Sequence, residues 1–226
     1  MIKLIHLSKS FGKKKVLHDI NLLFEEGKVY GIVGSNGSGK TTLFRCIAGL
    51  EDHDGELEYE HTPLKDHLGF LQTHPIIMSR ITGWEYLKLV SISRGIDTEN
   101  FQEQNVFELP LNEYADTYST GMKKKLALMG TLLQQNKVLI LDEPFNGVDI
   151  QSNLLIIELI NQLKDLNKII LISSHIFSTL RDTCDEIHLL RSGIIEKSVM
   201  KENFIELDTE MKSIILGDNN KRIKLS

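Results

Sequence analysis

The sequence predicts an α/β fold with a mainly parallel core sheet, organised around a phosphate-binding loop. Three observations carry that prediction. Gly34-Ser35-Asn36-Gly37-Ser38-Gly39-Lys40-Thr41 matches G-x-x-x-x-G-K-[ST] at every fixed position. Continuous apolar runs, at Val29–Val33, Val138–Leu141 and Ile169–Ile172, suit parallel strands covered on both faces. Segments with helical spacing alternate with those runs, as a layered α/β domain requires.

Taken along the chain, residues 2–7 and about 16–24 carry strand signals, separated by a loop over Ser10–Lys15. The run Val29–Val33 then leads into the glycine loop. Beyond it Leu43, Ile47 and Leu50 share one helical face, and Gly49 stands at the C-cap. Residues 55–71 read as a hairpin region ending in Leu68-Gly69-Phe70-Leu71. Thr82 and Glu85 form a capping box for a helix to about Ser93, and a polar connection leads on to Leu109-Pro110. A second helix starts at Ser119, with Leu126, Met129 and Leu133 as its buried stripe. Leu155, Leu159 and Leu163 mark the helix between the strands near 140 and 170. Residues 187–196, turning at Ser192-Gly193, read as a closing hairpin.

The chemistry of the loop explains its residue types. Its glycines let consecutive backbone N–H groups converge on one anion, and the following helix adds its positive end. Lys40 supplies a mobile point charge for phosphate oxygens, and the Thr41 hydroxyl is a ligand for Mg2+. The partner motif is Lys137-Val138-Leu139-Ile140-Leu141-Asp142-Glu143-Pro144. Asp142 at the strand tip is placed to hold Mg2+, and Glu143, pointing the other way, to polarise a water. His175 ends the strand 169–172, where an open parallel sheet meets its ligand.

Composition narrows the class. The chain is 41% hydrophobic and 25% charged, as an ordinary globule is. A net charge of −5 argues against nucleic acid as a direct partner. Cys46 and Cys184 have no metal-ligand spacing and read as reduced thiols. The N-terminal residues show no signal peptide, and no run reaches the roughly 18–20 apolar residues that span a bilayer. A cytoplasmic protein is expected. The run Lys123-Lys124-Lys125 reads as the solvated face of its helix. No N-K-x-D motif is present, which excludes the GTPase reading.

With these motifs in order, residues 1–198 resemble the ATP-binding cassette (ABC) ATPase family. The resemblance implies a P-loop NTPase fold with an N-terminal antiparallel β subdomain and a helical subdomain inserted over residues 82–134. Residues 199–226 are left as a short tail of unassigned role. It implies that Phe11 stacks on adenine with Val16 nearby, and that Gly34–Thr42, including Thr42 itself, wraps the phosphates of ATP. It implies Gln72 as the Q-loop glutamine that senses Mg2+ and water, and His175 as the switch histidine. Ser119, Thr120, Gly121 and Met122 occupy the signature position, and Asp149 the D-loop. The usual signature is L-S-G-G-Q; here Thr120 and Met122 depart from it, and S-x-G-M resembles export-type members.

The implied function is ATP hydrolysis with Mg2+ in a transporter subunit. Two cassettes, in a homodimer or with a related partner, would close head to tail on ATP. A separate transmembrane chain would hold the protein at the inner face of the membrane. The alternative is a soluble member acting in translation or DNA maintenance. Such chains carry a second cassette or a long coiled-coil insertion, and neither occurs in this sequence.

Overall fold

The computed structural model describes residues 1–61, 63–96 and 100–209. Strands β1 (Ile2–Phe11) and β2 (Lys14–Phe24) open the chain, followed by β3 (Lys28–Val33) and helix α1 (Lys40–Ile47). Next come β4 (Asp54–Tyr59), β5 (Leu68–Leu71), α2 (Gly83–Ile92) and α3 (Thr120–Leu133). The remaining elements are β6 (Val138–Asp142), α4 (Ile150–Asp165), β7 (Ile169–Ser174), α5 (Phe177–Thr183), β8 (Glu186–Arg191) and β9 (Ile194–Met200).

They form two sheets. One is antiparallel, in the order β2-β1-β4; the other has the order β5-β6-β7-β3-β8-β9 and is parallel except where β9 pairs with β8. The fold class is the one the sequence predicts.

Alternation along the central strands builds two cores. Val29, Val33, Leu139, Leu141, Ile170 and Ile172 face the helical layer of α3, α4 and α5. Tyr30, Ile32, Ile140 and Leu171 point the other way, onto α1 and the antiparallel sheet. Both faces of β6 and β7 are therefore apolar, which is why those runs are continuous in the sequence. Each of these side chains, fully buried, stabilises the fold by roughly 1.5–3 kcal/mol.

Several elements differ from expectation. Only Gly12-Lys13 separates β1 from β2, because cross-strand pairing carries through to Phe11↔Lys14. Residues 55–71 are not a hairpin: β4 pairs with β1, whereas β5 lies parallel to β6 in the other sheet. A local pattern does not distinguish an antiparallel neighbour from a strand that leaves for another sheet. Leu50 is exposed, because Gly49 (φ 69) ends the helix and turns the chain away; the N–H groups of Gly49 and Leu50 donate to the Cys46 and Arg45 carbonyls. In α4 the fully buried stripe is Ser152, Ile156 and Ile160, with Leu155, Leu159 and Leu163 packed at its margin.

The connection before Pro110 is also less polar in effect than in composition. Phe101, Phe107 and Leu109 are buried, and Asn105 clamps the loop by bonding both Leu109 N and Leu109 O. The capping box at Thr82 and Glu85 forms with both reciprocal bonds. After β9, Phe204 packs edge-on against Phe177 and Leu207 is buried, so the start of the tail belongs to the core. The run Asp218–Arg222 lies outside the described residues.

Register positions the site. Asp142 pairs with Ser173, and Val33 with Ser174, so β3, β6 and β7 end level with one another. Their C-terminal ends therefore deliver the glycine loop, the Asp142-Glu143 pair and His175 to one edge of the sheet.

Candidate functional site

The loop after β3 is folded by its glycines and by its own lysine. Gly39 has φ 111, a conformation that side chains disfavour, and a Cβ there would meet Leu17 at 2.9 Å. Lys40 is buried, and its Nζ donates to the carbonyls of Gly34 (2.8 Å) and Ser35 (3.2 Å). α1 begins here with no acidic residue in its first turn, so its free amides and positive end face the loop uncompensated. Ser38 Oγ is buried with no hydrogen-bond partner among the described residues, an orphan inside the cradle.

Asp142 is fully buried, and hydroxyls from three elements solvate it. Thr41 donates to its Oδ2 at 2.7 Å and Thr73 to the same oxygen at 2.6 Å, while Ser173 donates to Oδ1. Three such bonds to an ionised group offset much of the cost of burying it. Thr41 and Asp142 are oxygen donors already in contact, and Gln72 lines the cavity beside them, about 340 Å³, with Thr73 and His74. Hard oxygen ligands clustered in this way fit Mg2+.

Glu143 has a strained backbone. Its φ is 52, a left-handed conformation that costs a non-glycine residue about 1–3 kcal/mol. Its N–H donates to Ser173 Oγ (2.9 Å), and its carbonyl accepts from Asn146 N (3.2 Å) and from Lys124 Nζ (2.7 Å). Its carboxylate is thereby turned inward, where Oε2 meets His175 Nδ1 at 2.9 Å and Oε1 lies 3.8 Å from Lys40 Nζ.

These groups share a cleft of about 460 Å³, lined by Val16, residues of the glycine loop, Thr41, Thr42, Thr73, His74, Glu143, Asn146 and His175. Phe11 is not on that lining; it is half exposed at the end of β1, with the Lys9 ammonium 4.8 Å from its ring centroid. The signature residues are likewise elsewhere. Ser119 and Thr120 are exposed, and the Ser119 hydroxyl caps α3 by accepting from Met122 N (3.2 Å). Asp149 caps α4, accepting from Ser152 N (2.9 Å); that bond, the Ser152 hydroxyl and Lys125 hold its carboxyl well below the usual range.

The lysine run departs from its expected role. Lys124 is only 3% exposed and also donates to Asn146 O (3.1 Å), while Lys125 pairs with Asp149 at 3.2 Å. Burial pushes the Lys124 ammonium below its ordinary pKa, opposed by Glu143 and Asp142. The close packing of the start of α3 on residues 143–152 explains the difference: Lys124 reaches the Glu143 and Asn146 carbonyls, and Lys125 the Asp149 carboxylate. Thr73 and Ser173 are site residues that sequence reasoning missed: each is a polar residue with no spacing signature of its own, and only the pairing of distant strands brings it to Asp142. Asn146, the first residue of the D-loop segment, reaches the cleft locally, three residues after Glu143.

Fold and cleft together define a nucleotide-binding protein of the phosphate-loop class. An ABC transporter family model matches residues 17–146. Among curated relatives, the lantibiotic transport ATP-binding protein SrtF of Streptococcus pyogenes is 30% identical over 92% of this chain and 95% of its own length. The uncharacterized ABC transporter ATP-binding protein YthP of Bacillus subtilis is 30% identical over 80% of this chain and 78% of its own. The chain belongs to the ABC transporter ATP-binding family. Solved structures share the fold: an ATP-binding subunit of an ABC transporter superposes with a TM-score of 0.82, at 23% identity and 93% coverage of each chain. A dimeric ATP-binding cassette in a post-hydrolysis state with ADP and phosphate gives 0.78, at 21% identity, covering 89% of this chain and 99% of that one.

Proposed function

We propose that this chain binds ATP in the cleft at Lys40, hydrolyses it with Glu143 as the base, and uses the cycle to drive a separate membrane-spanning partner. The observation that carries the reading is the Glu143 carboxylate, held by His175 at 2.9 Å and facing Lys40 at 3.8 Å within the phosphate cleft. A carboxylate so aimed can polarise a water beside the terminal phosphoryl group, while Lys40 and the α1 terminus take up its negative charge. Lys40 would exchange its bonds to Gly34 and Ser35 for phosphate oxygens. Mg2+, held by Thr41, Asp142 and Gln72, would neutralise phosphate charge as the bond breaks. Val16, on the cleft lining, and the exposed Phe11 ring, which lies off it, are assigned to the base of the nucleotide.

Residues 1–198 act as the cassette, with 82–134 as the helical subdomain. Exposed Ser119 and Thr120, with Gly121, Met122 and Asp149, are assigned to the nucleotide of a second copy or a related cassette. ATP then adds interface, and a ligand that binds the closed pair better shifts the equilibrium toward it. No helix among the described residues is long and apolar enough to cross a membrane, so attachment at the inner membrane face falls to the partner. Ile76, 85% exposed, and the half-exposed Met78 follow the Gln72 loop and offer that partner an apolar foothold. The naming of SrtF as a transport protein supports the transport role.

Replacing Glu143 by Gln tests the reading. ATP binding should persist while hydrolysis slows at least ~10²-fold, the lower range for loss of a general base. Near-parental turnover removes Glu143 from the role.

A further inference from the structure

The ammonium of Lys124 is buried, and among the described residues no carboxylate oxygen lies within ion-pair distance of it. Its two partners are backbone carbonyls, Glu143 O at 2.7 Å and Asn146 O at 3.1 Å. Burying an ammonium costs free energy that an apolar residue at the same place would avoid. Packing alone therefore does not call for a cation at this position; the two carbonyls do. The first of them belongs to the left-handed residue whose side chain faces the cleft.

The contact is one of three between the start of α3 and residues 143–152. Gly121 lies so close to Gly147 that an added Cβ would stand 2.6 Å from its carbonyl oxygen. Lys125 reaches Asp149 Oδ2 and Ser152 Oγ, both at 3.2 Å. Between those two contacts, Lys124 grips the loop at its first residue. With Ser173 Oγ holding the Glu143 amide at 2.9 Å, the peptide groups on both sides of Glu143 are anchored. From that anchored backbone its carboxylate points toward His175 and Lys40.

We propose that Lys124 is a positioning residue for Glu143, fixing the base through its carbonyl and joining it rigidly to the helix that begins at Ser119. The inference rests on Glu143 being the base. It also links two sites: the helix start that would meet a partner's nucleotide is fastened to the base that serves this chain's own. Closure on one nucleotide would thereby set the carboxylate at the other.

The test uses the full chain with four variants: Lys124→Met, which keeps the stem and removes the charge; Lys124→Arg; Glu143→Gln; and Lys124→Met with Glu143→Gln. Turnover at saturating ATP, KM and equilibrium binding of a fluorescent ATP analogue are measured for each. Lys124→Met should lower kcat about 10- to 100-fold, the effect of a small misplacement of a reacting group, with KM and affinity within about threefold. Lys124→Arg should recover most of the loss. In the Glu143→Gln background the same replacement should cost less than about threefold, because no base remains to be placed. Should Lys124→Met not fold, Lys124→Gln, which keeps one donor, is expected to give the same kcat-specific loss. Parental turnover in Lys124→Met, or an equal fold-loss with and without Glu143, overturns the inference while leaving the base in place. Parental turnover in Glu143→Gln removes the base and the inference together.

Discussion

Replacing Ser173 by Ala removes one oxygen and should disturb both stability and catalysis. The hydroxyl does two things at a buried position: it donates to Asp142 Oδ1 and accepts the Glu143 N–H at 2.9 Å. A hydrogen bond to a charged group is worth about 1.5–3 kcal/mol, and orphaning a buried N–H costs about 1–3 kcal/mol. Asp142 keeps the Thr41 and Thr73 hydroxyls on its other oxygen, which places the net near the low end of the sum, about 3 kcal/mol. In a chain of this size that is a fall of about 6–12 °C in Tm. Calorimetry or urea unfolding of the nucleotide-free protein reads the effect directly, with the exposed Ser10→Ala as control, expected within about 0.5 kcal/mol of the parent. Turnover at saturating ATP should fall as well, since Glu143 loses its amide anchor. A Tm within about 2 °C of the parent, together with unchanged turnover, would refute the reasoning.

Burial pushes the His188 imidazole down to about 4 from 6.5, between Phe24 and a stacked Tyr30, with Nδ1 2.8 Å from Ser198 Oγ. Glu186 lies 3.7 Å from Nδ1, but among the described residues Nε2 has no hydrogen-bond acceptor on the other side, so burial prevails. The unfolded chain therefore binds the proton first, and stability is lost as pH falls from about 6.5 toward 4, by about 2 kcal/mol at pH 5. His188→Phe should flatten that decline; an unchanged Tm difference between pH 7 and pH 5 would rule it out. Lys40→Ala should weaken ATP binding itself in a direct titration, and parental affinity would count against the phosphate-loop assignment. Ser119→Ala should cost about 1 kcal/mol through the lost cap. It should spare ATP binding by the monomer and impair ATP-dependent dimerisation in sedimentation, and dimerisation at parental strength would contradict a role across the interface.

How much of the site was legible depended on where its residues lie in the chain. The glycine loop and Asp142-Glu143 could be read because their parts are contiguous and their chemistry dictates the spacing. His175 could be read because it ends an apolar strand. Ser173 stands two residues earlier, yet its role was invisible: its partners are across the sheet, 31 and 30 residues away. Thr73 reaches Asp142 over 69 residues in the same way. Lys124 was misread because a lysine run has the look of solvent-facing helix. Its burial depends on the close approach of Gly121 to Gly147, which sequence spacing does not encode.

By itself, then, the sequence determined most of the elements and the local motifs of the glycine loop and Asp142-Glu143, since loops, caps and apolar runs are specified by neighbours within a few residues. The capping box at Thr82, the helix start at Ser119 and the turn at Ser192-Gly193 all formed on local information alone. Only the tertiary structure decided which sheet β4 and β5 each join, which hydroxyls hold Asp142, and which cation holds the backbone of Glu143. Those outcomes follow from strand register and helix approach. They belong to pairs of distant segments, and no local pattern in either segment contains them.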